Sequence, residues 1–292
     1  MKPAPFEYHR PKTRAEALDL LERSGEDGRI LAGGQSLVPM MALRLARPSA
    51  LIDINGLAEL DYVREENGRL AIGALTRQRA LEKSAVLAER CPLLWEAMPL
   101  VGHIQTRNRG TIGGSLAHGD PAAELPAVAL ALDAEMVIAG AAGERVVAAQ
   151  DFFLSAYGTA LQSGEMLTEI RLSPWPRGAG WAVLEVSPHH GSFAIAGAAV
   201  RLEIDPVGRG RNVRIALFGV DHAARRAERA EKRLEGETID EGSVAAAACQ
   251  TMEEVEPYDD VQASADYRRH IAGVLVNRAL KQALARAGAK KA

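Results

Sequence analysis

A chain of 292 residues, 47% hydrophobic and 25% charged, has the make-up of a soluble globular protein of one large or two ordinary domains. Thirty-five basic against 38 acidic residues leave a net charge of −3, which excludes the basic footprint of a nucleic-acid binder. The 2 cysteines, Cys91 and Cys249, exclude a disulfide framework and any iron–sulfur cluster held by four cysteines of this chain. With no apolar run at the N-terminus and none approaching a membrane span, the expectation is a cytoplasmic protein without a leader or anchor.

In chain order, Thr13 and Glu16 form a T-x-x-E capping box before the apolar stripe Ala17, Leu18 and Leu21, which predicts the first helix. Arg29–Ala32 reads as a short buried strand running into Gly33-Gly34, followed by a helix over 36–45 and a strand over 50–54. Strand, helix and strand in that order predict a small parallel sheet. Residues 62–65 and 69–72 flank Asn67-Gly68, a hairpin turn signal. Helical segments follow near 76–82 and 92–101, then a glycine-bearing loop from Arg107 to Ser115. A helix is predicted from Asp120 to about Leu132, with Asp120 as N-cap and Pro121 at its first position.

Strands are expected near 134–138, 144–148 and 166–172. Two prolines and a glycine within 173–178 mark a domain boundary. Beyond it the pattern predicts strands near 181–186, 194–204 and 213–220. Helices are predicted from 223 to 234, 242 to 255 and 264 to 285. Segregated helices and antiparallel strands give an α+β fold.

Two segments stand out, Leu31-Ala32-Gly33-Gly34-Gln35-Ser36-Leu37 and Arg109-Gly110-Thr111-Ile112-Gly113-Gly114-Ser115. Paired glycines let the backbone approach a ligand closely, and successive N–H groups can then converge on an anion, with a helix N-terminus assisting. Ser36, Thr111 and Ser115 add hydroxyl donors. One such loop is as readily a tight turn; two of them point to a nucleotide diphosphate held between two elements. There is no G-x-x-x-x-G-K-[ST] and no G-x-G-x-x-G after the first strand, so a P-loop or a Rossmann domain is not expected.

Ala32-Gly33-Gly34-Gln35-Ser36 and Thr111-Ile112-Gly113-Gly114-Ser115 resemble the two FAD-binding motifs of the flavin subunit of molybdenum hydroxylases. These are the medium subunits of the carbon monoxide dehydrogenase and xanthine dehydrogenase group. Further matches are Ile72-Gly73-Ala74-Leu75-Thr76, Arg107-Asn108-Arg109-Gly110, Asp120-Pro121-Ala122-Ala123-Glu124-Leu125-Pro126 and Ser264-Ala265-Asp266-Tyr267-Arg268, in family order along nearly the whole chain.

The resemblance implies an FAD-binding domain of the vanillyl-alcohol-oxidase-like (PCMH) type over 1–176, with a small α/β part (1–55) and a larger α+β part (56–176). It implies a C-terminal domain over 177–292 with a three-stranded antiparallel sheet and helices. It assigns FAD contacts to Ala32, Gly33, Gly34, Gln35, Ser36, Leu37, Thr76, Thr111, Gly113, Gly114 and Ser115. Glu124 stands where the family has an acidic residue near the flavin, and His118 and Asp120 lie on the same loop. Phe193 aligns with an aromatic residue beside the isoalloxazine. The chain departs from the family in Pro188-His189-His190-Gly191-Ser192, where cations and a carboxylate are usual.

By the same resemblance this chain does no substrate chemistry and contributes no catalytic acid, base or nucleophile. A large subunit with a molybdopterin cofactor hydroxylates the substrate, and a small subunit with two [2Fe–2S] clusters carries electrons to FAD. The whole is a dimer of αβγ trimers. Substrate and electron acceptor stay open. The alternatives are a stand-alone FAD oxidase or reductase and a flavin-free scaffold.

Other residues have plainer readings. Adjacent His189 and His190 lack the spacing of a metal site and read as loop residues. Asp221 reads as a helix N-cap, and Arg225–Arg233, interleaved with Glu228 and Glu231, as a solvated helix face. Cys91 reads as a structural thiol, and Trp95 with Met98 as one core-facing stripe.

Overall fold

The computed structural model describes residues 2–289; Met1 and residues 290–292, the ends of the expected units, lie outside them. The N-terminal part holds β1 (Glu7–His9), α1 (Arg14–Ser24), β2 (Gly28–Leu31), α2 (Leu37–Ala42) and β3 (Ala50–Asp53). The strands form a parallel sheet in the order β1-β3-β2. Strand β1 went unpredicted because Glu7, Tyr8 and His9 carry no apolar alternation; its place is set by the backbone of β3. Thr13 caps α1 by accepting the Glu16 N–H at 3.2 Å, and the Glu16 carboxylate returns to the Lys12 N–H at 2.7 Å. Helix α2 stops three residues short of the predicted Leu45, because Arg44 turns to φ 59° ahead of Pro48.

The larger part begins with the hairpin β4 (Val63–Glu66) and β5 (Arg69–Gly73), turned at Asn67 and Gly68 with φ of 51° and 75°. Six helices follow, α3 (Gln78–Glu82), α4 (Ala85–Arg90), α5 (Pro92–Ala97), α6 (Ile104–Arg109), α7 (Ile112–His118) and α8 (Glu124–Ala131). Then come β6 (Glu135–Gly140), β7 (Gly143–Ala148), α9 (Ala149–Phe152), β8 (Phe153–Ser155), β9 (Gly158–Thr159) and β10 (Met166–Leu172). The main sheet is antiparallel in the order β4-β5-β10-β6-β7.

Two expectations here are corrected. The segment Arg107–Ser115 is not a loop: it spans the end of α6 and the start of α7, and Gly113 and Gly114 sit in a helical first turn. Packing overrides their poor helix propensity. Helix α8 starts at Glu124 and not at Asp120, because the Asp120 carboxylate takes the Ala122 N–H at 2.9 Å and holds 120–123 in a turn. All eight residues of α8 are buried.

The C-terminal part has β11 (Gly180–Val186), β12 (Ala196–Ile204), β13 (Gly210–Phe218), β14 (Arg225–Arg226), α10 (Glu228–Lys232), α11 (Glu241–Met252) and α12 (Ala265–Ala289). Its three long strands are antiparallel as expected, and the two-residue β14 makes a fourth at the edge. That strand occupies the start of the helix predicted from 223. The charged stretch is accordingly not wholly a solvated face: Glu231 is 5% exposed, pairs with Arg226 and accepts the Ile215 N–H at 2.9 Å. Asp221 caps no helix either. Its carboxylate gathers the His222 N–H (2.7 Å), the Arg225 guanidinium (2.7 Å) and the Glu256 N–H (3.2 Å).

The two parts share a core. Helix α8 packs on β12 and β13, and the largest apolar cluster mixes Leu125, Val128 and Leu132 with Val183, Ala199 and Phe218. Asp133, just after α8, pairs with Arg201, Arg214 and Arg226 from the other side. Cys91 is 2% exposed and burial pushes its thiol up to about 12, so it is structural. Met98 is fully buried, but Trp95 is half out and donates its indole N–H to the Glu82 carbonyl at 2.9 Å, so the two do not share a core face. Among the described residues no cluster of His, Cys, Asp and Glu could hold a metal ion, and no helix is long and apolar enough to cross a membrane.

Arg268, 1% exposed at the start of α12, donates to the carbonyls of Ile195 (2.5 Å) and Gly219 (2.9 Å) and pairs with Asp260 at 2.7 Å. Arg268→Met leaves those acceptors unpaired and is expected to cost about 3 kcal/mol, read as a lower urea midpoint with an unchanged slope.

Candidate functional site

A cleft of about 1240 Å³ runs between the N-terminal parallel sheet, the helices α6–α8 and the turn at 191–193. Its floor is the contact between the two glycine segments. The first leaves the end of β2 and enters α2. A Cβ on Gly33 would lie 2.5 Å from the Arg109 carbonyl oxygen and 2.7 Å from the Gly110 Cα, so only glycine permits this approach. Gly34 follows at φ 71°. Among the described residues, no protein acceptor takes the N–H groups of Gly33, Gly34, Gln35, Ser36 or Leu37. The Gln35 side chain is spent on shaping the loop, donating to the Gly33 carbonyl at 3.1 Å. Ser36 makes no side-chain bond to α2, which leaves its hydroxyl available.

The second segment is built differently. The N–H groups of Ile112, Gly113 and Gly114 donate to the Thr76 carbonyl (3.1 Å), the Ala74 carbonyl (3.0 Å) and the Thr111 hydroxyl oxygen (3.0 Å). The expectation of two equivalent N–H cradles is therefore corrected: the amides of 112–114 are satisfied by the protein. Its glycines provide closeness. A Cβ on Gly113 would overlap the Ala74 Cβ at 2.4 Å, and one on Gly114 would lie 2.8 Å from the Thr111 Oγ1 and 3.8 Å from the Ala32 Cβ. Thr111, which accepts from Gly114, still has its hydroxyl proton to give, as has Ser115.

A polar relay ties the two segments together. Arg77 donates to the Arg109 carbonyl and, at 2.6 Å, to the Asn55 Oδ1. Asn55 donates to the Ala32 carbonyl at 2.8 Å and to the Asp53 carboxylate at 2.6 Å, and Asp53 accepts from the Tyr8 hydroxyl. These bonds, with burial working against them, hold the Asp53 carboxyl below its ordinary range.

Ala32–Leu37, Thr111, Gly113, Gly114, Ser115, His118, Asp120, Glu124 and Phe193 all line the cleft. Thr76 does not. It is 2% exposed, and its hydroxyl donates to the Tyr62 carbonyl (2.8 Å) and accepts the Tyr62 N–H (3.1 Å), so its side chain braces β4 against β5. Asp120 faces the cleft as a turn residue and not as a helix cap. Sequence reasoning missed Gln78, Met166, Leu167 and Tyr157, which also line it. Gln78 lies two residues beyond the G-A-L-T stretch and was the one within reach of a motif; the others come from distant elements without a local signature.

Toward α8 the cleft is lined by the acidic groups Asp120 and Glu124, both buried. The rings of His118 and Tyr157 lie 5.1 Å apart, and burial lowers the His118 pKa, favouring neutral imidazole. Glu124 is 5% exposed, and its carboxyl is pushed up to about 8, by burial first and then by Glu185 and Asp120. Phe193 stands half exposed at the mouth. His189 and His190 are exposed in the adjoining turn, and Gly191 rests on the His103 ring, where a Cβ would lie 2.5 Å from Nδ1.

The residues fit FAD. Five consecutive N–H groups without protein acceptors suit a pyrophosphate. The cleft is large enough for an extended dinucleotide, and it continues from those amides to an aromatic ring and a carboxyl at the other end.

Residues 4–175 match the family described as the FAD binding domain in molybdopterin dehydrogenase, and residues 182–283 match the CO dehydrogenase flavoprotein C-terminal domain. The chain is 43% identical over 288 residues to the carbon monoxide dehydrogenase medium chain of Hydrogenophaga pseudoflava, covering 98% of this chain and 99% of that one. It is 41% identical to subunit alpha of the 6-hydroxypseudooxynicotine dehydrogenase complex of Paenarthrobacter nicotinovorans, covering 98% and 97%. In three dimensions it is similar to a chain of the solved carbon monoxide dehydrogenase from Hydrogenophaga pseudoflava, with a TM-score of 0.96 at 44% identity over 98% and 99% of the two chains.

Replacing Arg77 by Met removes the donor shared by Asn55 and the Arg109 carbonyl. The expected cost is about 1–3 kcal/mol, measured by urea unfolding, with amide hydrogen exchange rising at 32–37 and 109–115.

Proposed function

We propose that this chain, which belongs to the family of FAD-binding medium subunits of the carbon monoxide dehydrogenase and xanthine dehydrogenase type, passes electrons from the [2Fe–2S] clusters of a partner subunit through FAD to an external acceptor. It is the flavin-binding oxidoreductase component of a molybdenum hydroxylase. The observation that carries the reading is the unpaired N–H run from Gly33 to Leu37, set against a second glycine pair.

Bound FAD supplies the ability to take electrons one at a time and release them in pairs. The chain's own part is to hold and orient it. The N–H groups of 33–37 would hold the pyrophosphate, with the hydroxyls of Ser36, Thr111 and Ser115 as further donors. Gly113 and Gly114 would allow close approach, Phe193 would flank the ring system, and Glu124, with His118 and Asp120 on the same wall, would bound the far side. No side chain acts as nucleophile or general base. The electrons come from a small subunit with two [2Fe–2S] clusters and originate at a large molybdopterin subunit, in a dimer of αβγ trimers working in the cytoplasm. Supporting this, the relatives are a medium chain and a complex subunit, and this chain has only 2 cysteines, one of them buried. We also divide the chain at 176/177, with 1–55 and 56–176 as the two parts of the FAD-binding unit. The limits of the two family matches support that division.

The test begins with the visible spectrum of the purified chain and chromatography of the chromophore released on unfolding, followed by FAD titration of any flavin-free protein. Stoichiometric FAD is the expected result; no flavin and no FAD binding would leave a flavin-free scaffold. In the same assay Gly114→Val, whose side chain meets Thr111 and Ala32, is expected to weaken FAD binding roughly 100-fold, about 2.7 kcal/mol. Its circular dichroism should stay native. Normal flavin occupancy in that folded variant would refute the cradle.

A further inference from the structure

Near the α8 end of the cleft a carboxyl group from each unit comes into play, Glu124 lining the cleft and Glu185 acting on it electrostatically. Glu124 opens α8 and lines the cleft, and it is 5% exposed. Among the described residues, the donor at its carboxyl is its own backbone N–H. Glu185 comes from β11; the Ser187 hydroxyl lies against its carboxyl, but its Oε2 is fully buried with no hydrogen-bond partner. Among the described residues, neither Glu124 nor Glu185 forms an ion pair with an arginine or lysine. Arg107 acts on Glu124 from a distance, but its guanidinium is spent on Glu82 (2.8 Å) and on the carbonyls of Val101 (3.1 Å) and Gly102 (2.7 Å). The arginines of the strands behind α8, Arg201, Arg214 and Arg226, turn to Asp133 at its other end. Glu96 of α5 pairs with Arg286, and Asp120 adds a third negative group.

With Glu185 and Asp120 both acting on it, an ionised Glu124 buried in a cleft read as taking a dianionic pyrophosphate would be repelled from every side. A proton on it removes the conflict and turns an acceptor into a donor. We propose that Glu124 meets FAD as a neutral carboxylic acid, giving a hydrogen bond to an acceptor atom of the cofactor, and that Glu185 is the positioning residue that keeps the proton there. This rests on the reading that the cleft holds FAD. The carbonyl oxygens and ring nitrogens of an isoalloxazine are acceptors, which a carboxylate would repel and a carboxylic acid satisfies.

The direction of the pH effect follows. Burial pushes Glu124 up to about 8 and Glu185 up to about 7, so the neutral form of Glu124 persists through neutrality and is lost above that range. Removing the charge of Glu185 takes away one repulsion and lets Glu124 ionise at lower pH.

The experiment is FAD titration of the full-length flavin-free chain from pH 6 to 9, followed by flavin fluorescence, with infrared detection of the carboxylic-acid C=O band at pH 7. In the wild type, Kd should be level near pH 6–7 and rise by up to about tenfold per pH unit above about 8. Glu124→Gln, which keeps an N–H donor but cannot ionise, should flatten the profile and lose the infrared band. Glu185→Gln should move the break to lower pH, so that at pH 8 it binds FAD several-fold more weakly than the wild type. A wild-type Kd level to pH 9, or a break that survives Glu124→Gln, would overturn the neutral acid; a break unmoved by Glu185→Gln would overturn the role of Glu185. Absence of FAD binding at every pH would overturn the cofactor reading instead.

Discussion

The contact of Gly33 with the backbone at Arg109 and Gly110 is the constraint on which the molecule turns. Two segments nearly 80 residues apart in sequence lie closer than any Cβ would allow. Everything around them serves that approach. The parallel sheet brings the end of β2 to the spot, the Arg77–Asn55–Asp53 relay holds the two backbones in register, and Ala74 offers Gly113 a surface without bulk. The cleft above them is what remains when two chains meet without side chains between them.

From that contact the cleft grades from a wall of free amides to a wall of buried acid. At one end, N–H groups without protein acceptors favour negative charge. At the other, Glu124 sits where low dielectric and the neighbouring acids disfavour it. A long ligand with an anionic middle and an uncharged, acceptor-rich ring matches that gradient in one orientation. Orientation here is a matter of electrostatics as much as of shape.

Much of this was legible in the sequence. The longer strands read correctly because their apolar runs are bounded by turn residues, as at Asn67-Gly68, while the two- and three-residue strands β1, β8, β9 and β14 did not; both glycine segments were found because their composition is unusual at short range. What failed did so for reasons that only tertiary structure supplies. Gly113 and Gly114 looked like a loop because isolated helix propensity disfavours them, whereas packing on Ala74 places them in α7. Asp120 looked like an N-cap, but its carboxylate is committed two residues on. Thr76 carries a family motif yet braces Tyr62, and β1 has no pattern of its own because β3 alone dictates it. Arg226 appeared solvated because nothing local announces that Glu231 is buried beside it. Leu167 and Tyr157 reach the cleft from strands and turns whose sequence reports only their own folding.

The burial of α8 on all sides has its own consequence. One face of that helix packs on the main sheet's helices and another on β12 and β13, so neither unit possesses a finished interior without the other. Unlike modules joined by a linker, the two units do not swing apart as rigid bodies, since opening would strip water-averse surface from both at once. The geometry between the glycine loops and the turn carrying Phe193 is therefore set at folding. A ligand that enters does so through the open mouth of a fixed vessel, and its position relative to any docked neighbour is inherited from the fold and not negotiated with each turnover.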